Sequence, residues 1–159
     1  MKINYLLPHS FKKIGLILII PSLLLGILGL FLDFKIDALT LEVPALFADN
    51  FLAPGKDNFR FITNNLTDEL AAIVFLLGAI FIAFSREKTE DEFITKIRLE
   101  SLVWAVYINY GILFLCFLFI YNFSFLNVMI YNLFTVLIIF ILRYYWKLFL
   151  LKKQLGHEE

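Results

Sequence analysis

Long runs without a charged side chain set the pattern of this sequence. No Asp, Glu, Lys or Arg occurs over residues 14–32 (a run of 19), 70–85 (16) or 101–142 (42). An α-helix rises 1.5 Å per residue, so about 20 residues cross a hydrocarbon core of about 30 Å. The first run is one span. The second becomes one when Leu66 to Glu69 extend it into the headgroups. The third is long enough for two, with a break at Asn122-Phe123-Ser124, a cluster of turn-prone residues. The pattern predicts helices over 14–32, 67–85, 101–121 and 125–143. Backbone amides find no water inside lipid, so a spanning segment is a helix or part of a closed barrel. Runs such as Ile112-Leu113-Phe114-Leu115 lack the alternation of a barrel strand. The expected fold is an all-α integral membrane protein, a four-transmembrane-helix bundle forming a single membrane domain over 1–159.

The polar segments carry patterns of their own. In the 33–66 loop, Leu39-Thr40-Leu41-Glu42-Val43 and Phe59-Arg60-Phe61-Ile62-Thr63 alternate apolar and polar, the period of a half-buried strand. Ala53-Pro54-Gly55-Lys56-Asp57-Asn58 between them is a turn cluster, so a short β-hairpin is expected, resting on the helices or the headgroups. The 86–100 segment reads as a helical stub. Thr89-x-x-Glu92 has the form of a capping box, Glu92/Lys96 and Lys96/Glu100 are i,i+4 pairs, and Phe93, Ile94, Ile97 and Ser101 share a stripe. One helix is expected to run from about Glu90 to Tyr121. The fourth continues past Arg143 through Leu148, Phe149, Leu151 and Leu155, making an antiparallel helical hairpin that projects from the bilayer.

Composition agrees with this solvent. The chain is 61% apolar and 18% charged, with 19 Phe, whereas soluble domains sit near 45–50% and about 25%. A disordered chain, a disulfide scaffold and an ordinary soluble enzyme are excluded. Net charge is zero, so nothing draws the chain to nucleic acid. The local distribution of charge is informative instead. Lys and Arg number three before the first span, three in the 33–69 loop, four in 86–100, none in the 122–124 turn and four after the last span. Alternate segments hold eleven against three, which places both termini and the stub in the cytoplasm and the loop, with its seven acids, outside. Trp104 and Trp146 fall at the cytoplasmic ends of their helices, where amphipathic rings prefer the headgroups. The first apolar run is too long for a signal-peptide core and no small-x-small site follows it, so a retained span is expected.

Candidate chemistry is sparse. His9, His157 and Cys116 make no metal-site spacing, so neither metal nor cofactor is expected. Intramembrane hydrolysis needs a nucleophile with a base, and Ser22 and Ser101 have no His at their depth. No acid or base lies within a span; Asp68, Glu69 and Glu100 sit in first turns, where a carboxylate faces the positive helix end. The polar residues inside the spans are Tyr107, Asn109 and Tyr110 on helix 3 and Asn127, Tyr131, Asn132 and Thr135 on helix 4. Counting from the 122–124 turn puts Asn109 near the depth of Thr135. Helix-to-helix hydrogen bonding is the leading reading of this cluster, and a polar ligand pocket is the other. Ser22, Gly26 and Gly29 on helix 1, and Ala72, Ala79 and Ala83 on helix 2, form small-residue stripes that let helices approach; a homo-oligomer through Ser22-x-x-x-Gly26 is the weaker alternative.

Glu90-Asp91-Glu92-Phe93, Lys96-Ile97-Arg98-Leu99-Glu100-Ser101-Leu102, Tyr107-x-Asn109-Tyr110, Asn127-x-Met129 and Asn132-x-Phe134-Thr135 together resemble small four-span bacterial integral membrane proteins of unassigned function. The resemblance covers the second half of the chain. It implies an inner-membrane location and no particular activity. The functional expectation is a non-catalytic protein whose partners are membrane lipid and another membrane or cytoplasmic protein, docked at Glu92, Lys96 and Arg98. The alternative is an oligomeric channel or carrier for a small solute, lined by Tyr107, Asn109, Tyr110 and Asn132. A lipid-modifying enzyme using Glu69 and Glu100 ranks last.

Overall fold

The computed structural model describes residues 6–32, 34–45 and 60–155. Four long helices dominate it: α1 (Ser10–Leu32), α2 (Thr67–Phe84), α3 (Glu92–Phe119) and α4 (Phe123–Leu155). Each is long and apolar enough to cross a membrane. Their outward faces carry large apolar side chains such as Leu16, Ile17, Phe114 and Leu133. Lipid is the solvent that tolerates so much exposed apolar surface, and four such helices fit a multi-pass membrane protein.

Between α1 and α2, β1 (Thr40–Ala45) pairs antiparallel with β2 (Arg60–Asn65), with Thr40 opposite Asn65 and Ala45 opposite Arg60. The expected hairpin is present; its turn cluster at 53–58 lies outside the described residues. A 3-10 turn at Asp37–Leu39, with no signal in the sequence pattern, leads into β1.

The chain divides into two compact units, Met1–Ile17 with Leu76–Glu159, and Leu18–Phe75; the boundaries fall inside α1 and α2. In the second unit, Asn65 and Thr67 tie the base of the hairpin. Asn65 Nδ2 donates to the Ile36 carbonyl (3.0 Å) and to Thr40 Oγ1 (2.9 Å), while Asn65 Oδ1 accepts from both the backbone N–H (3.1 Å) and the hydroxyl (2.6 Å) of Thr67. The Ile36 N–H donates to Thr67 Oγ1 (3.0 Å). Thr67 is buried and every polar atom it brings there is bonded, as burial requires. In α1, Pro21 offers no N–H, and the buried Ser22 hydroxyl donates back to the carbonyls of Leu18 and Ile19 (2.8 and 3.0 Å), so no polar atom of Ser22 faces lipid alone.

The first unit brings together portions of all four helices. Leu7 forms a parallel bridge with Ser85: its N–H donates to the Phe84 carbonyl and its carbonyl accepts from Arg86, both at 2.9 Å. This ties the chain entering α1 to the chain leaving α2. Gly15 meets the Gly78 backbone beside it, and the Phe11 ring sits edge-on to Phe81 at 5.1 Å. The core gathers Ala83, Ile94, Ile97, Ala105, Phe140, Tyr144 and Leu148. On α3 the buried positions are Ile94, Ile97, Arg98, Ser101, Ala105 and Asn109, a single stripe at helical spacing.

Two expectations about α3 and α4 need correction. The start of α3 is capped by Asp91, whose carboxylate accepts from the Ile94 N–H at 2.7 Å, and not by Thr89. Glu90 is drawn elsewhere, to Arg98 and the Glu87 N–H, so the helix begins at Glu92. The turn also sits earlier than Asn122-Phe123-Ser124. α3 stops at Phe119, Ile120 is extended, Asn122 takes a left-handed φ of 59° that Asn tolerates, and Phe123 already belongs to α4.

Candidate functional site

The earlier turn changes which residues meet across α3 and α4. Asn109 pairs with Asn132 and not at the depth of Thr135: Asn132 Nδ2 donates to Asn109 Oδ1 at 3.1 Å and Asn109 Nδ2 returns a bond at 3.4 Å. Asn109 is 1% exposed, whereas Tyr107 and Tyr110 are 68% and 61% exposed and Tyr131 is also exposed. Thr135 Oγ1 donates to its own helix at the Tyr131 carbonyl (3.0 Å). The six-residue polar cluster therefore reduces to one amide pair. Reciprocal amides satisfy each other where no water reaches, for roughly 0.6–2 kcal/mol. Asn109→Leu is expected to destabilise the protein in detergent by about 1 kcal/mol, and Asn109→Leu with Asn132→Leu by no more than the single change, because no orphaned amide remains. Unfolding curves of the two singles and the double test this.

The small-residue stripes sort in the same way. Ala79 and Ala83 are fully buried, but Ala71, not Ala72, is the buried alanine about two turns before Ala79. An added Cβ on Gly26 would meet nothing within 4 Å, and one on Gly29 would meet only the Asp68 carboxylate, at 3.1 Å. The close backbone approach is at Gly15, where an added Cβ would lie 2.7 Å from the Gly78 carbonyl oxygen. The sequence reading passed over both of these glycines.

Of the three candidate docking residues, Glu92 and Lys96 are exposed and Arg98 is not. Arg98 is 7% exposed and grips Glu90 with both terminal nitrogens, at 2.7 and 3.2 Å. Its Nη2 also donates to the Tyr144 hydroxyl (2.9 Å) and the Ser85 carbonyl (3.3 Å). The fork of a guanidinium suits this two-point grip, which joins the end of α2, the start of α3 and the body of α4. The signal lay in the spacing: Arg98 is four residues after Ile94 and three before Ser101, on the same face as both.

Beside this pair lies a second set of charges. Lys12 Nζ binds both oxygens of Glu87 (2.7 and 2.9 Å) and stands 4.5 Å above the centre of the Tyr145 ring. His9 Nδ1–H donates to the Arg86 carbonyl at 2.9 Å. His9, Lys12 and Glu87, together with Lys88, Thr89 and Lys152, line a cleft of about 260 Å³, with buried Ile94 and Leu148 also in its wall. In the second unit a separate cavity of about 220 Å³ has an almost wholly apolar lining that includes Pro21, Leu25, Leu39 and Val74. Among the described residues no three His, Cys, Asp or Glu side chains form a group that could hold a metal ion. No protein-family profile matches the chain, and neither does any curated protein or solved structure.

Proposed function

We propose that this is a non-catalytic accessory or regulatory subunit of a bacterial inner membrane, with both termini cytoplasmic, that holds another protein at the cytoplasmic face. The observation that carries the reading is the two-sided start of α3. Arg98, Ile94 and Ile97 anchor it inward, while Glu92, Phe93, Lys96, Leu99 and Glu100 remain exposed. A helix end fastened from inside, with charge and two large apolar groups outward, suits a partner better than a free-moving stub, because little order is lost on binding. The excess of Lys and Arg on the odd-numbered segments supports the orientation. The channel reading has less support: Asn109 and Asn132 use their amides on each other, and Tyr107 and Tyr110 are exposed where Asn109 is buried.

Photo-crosslinking in living cells tests this. A photoreactive residue at Phe93 or Lys96 is expected to give one discrete adduct with another polypeptide, and the same residue at Leu133, exposed within α4, is expected to give none. Adducts with lipid or with the chain itself alone at 93 and 96 overturn the reading, as does labelling of the two termini from opposite compartments.

A further inference from the structure

The cleft beside the Lys12–Glu87 bridge has a charge pattern that the docking of a protein does not require. Three lysines line it from three places in the chain: Lys12 from α1, Lys88 from the α2–α3 connection and Lys152 from the last turns of α4. One carboxylate, that of Glu87, stands among them, and Lys12 engages both of its oxygens. The Glu87 N–H is likewise taken, by Glu90 Oε2 at 2.9 Å. Lys88 and Lys152 are exposed and have no ion-pair partner among the described residues. The cleft thus keeps a positive surplus in a chain whose net charge is zero. The Thr89 hydroxyl adds a neutral donor, and Ile94 and Leu148 add an apolar wall.

Its depth matters as much as its charge. The uncharged run on α3 starts at Ser101, and Ile94 lies seven residues before it, roughly 10 Å towards water at 1.5 Å per residue. Trp146 is exposed and Trp104 sits 4.8 Å beneath the Arg143 guanidinium, the arrangement of aromatic rings at a headgroup boundary. Phosphate groups of lipids and dissolved phosphate both reach this level. Basic pockets between helices at the cytoplasmic boundary suit phosphorylated headgroups, since two or more cations can meet one anion there.

We propose that this cleft binds a phosphate group, with an anionic phospholipid headgroup and free inorganic phosphate as its two sources. The site does not depend on the protein-docking reading, which uses the other face of α3. Native mass spectrometry of the full chain in a neutral detergent tests it. Phosphatidylglycerol is expected to be retained over phosphatidylcholine. Lys88→Gln with Lys152→Gln is expected to weaken that retention about thirtyfold, at about 1 kcal/mol for each lysine near an anionic surface. Lys13→Gln with Lys147→Gln, an exposed pair outside the cleft, is expected to leave it unchanged, and Lys88→Arg with Lys152→Arg to preserve it. Both Lys88 and Lys152 are exposed, so their loss does not open the core. Displacement of the lipid by millimolar inorganic phosphate, or binding of phosphate alone with the same lysine dependence, assigns the site to free phosphate. Retention without such displacement assigns it to the headgroup. Equal retention of the two lipids with no phosphate binding overturns the proposal, as does equal weakening by the cleft pair and the outside pair.

Discussion

Arg98→Met is expected to lower the unfolding free energy in mixed micelles by about 3 kcal/mol, the lower end of the cost of removing one member of a buried ion pair. The reason lies in what is left behind. Glu90 loses its bidentate partner with only 20% of its side chain exposed, and the Tyr144 hydroxyl and Ser85 carbonyl lose a donor. That remaining contact of Glu90 with water keeps the loss at the lower end. Arg98→Lys recovers part of it, because an ammonium is a point charge and cannot grip both carboxylate oxygens in one plane. Glu90→Gln with Arg98→Met costs less than the two single changes together, since no uncompensated carboxylate remains. Reversible unfolding of Arg98→Met, Arg98→Lys, Glu90→Gln and the double variant measures these differences. Strict additivity would mean that Arg98 acts only by filling space.

Gly15→Ala is expected to destabilise the protein by about 1–3 kcal/mol, the usual cost of overpacking. The new Cβ would lie 2.7 Å from the Gly78 carbonyl oxygen, 2.9 Å from Ile82 Cγ1 and 3.0 Å from Phe81 Cβ. Two of those three atoms are backbone or Cβ atoms and cannot swing aside, so α1 and α2 must separate where they meet. Gly26→Ala has the opposite expectation. Nothing stands within 4 Å of the new methyl, and Ala is the better helix former by about 1 kcal/mol in water, so the change is neutral or slightly stabilising. Thermal unfolding of the two variants side by side checks the contrast. A larger loss from Gly26→Ala than from Gly15→Ala would mean that Gly26 packs against a second copy of the chain.

The contrast between these glycines shows how far a sequence reading of helix packing reaches. Ser22, Gly26 and Gly29 form a regular stripe, yet only Ser22 of the three is buried, and Gly15, about two turns earlier on the same face, makes the close contact. Spacing reports which residues share a face of one helix. It is silent on which part of that face another helix crosses. Arg98 fails for a related reason. Its charge marks it as a surface residue, but it stands on the face of Ile94, Ser101 and Asn109, and Glu90 and Tyr144 come from elsewhere in the chain to neutralise and bond it.

The sequence by itself determined the four long helices and the two strands. Hydrocarbon forces each crossing segment to satisfy its own backbone, so the length of an uncharged run nearly dictates a helix, and short apolar–polar alternation points to a strand. Tertiary structure alone decided the contacts that depend on register: Asn109 with Asn132, Arg98 with Glu90 and Tyr144, Gly15 against Gly78, and the gathering of Lys12, Lys88 and Lys152 about one cleft. A turn that sits slightly earlier along the chain moves every partner across the α3–α4 hairpin. Such a shift leaves the apolar runs unchanged, so hydrophobic patterning carries no trace of it.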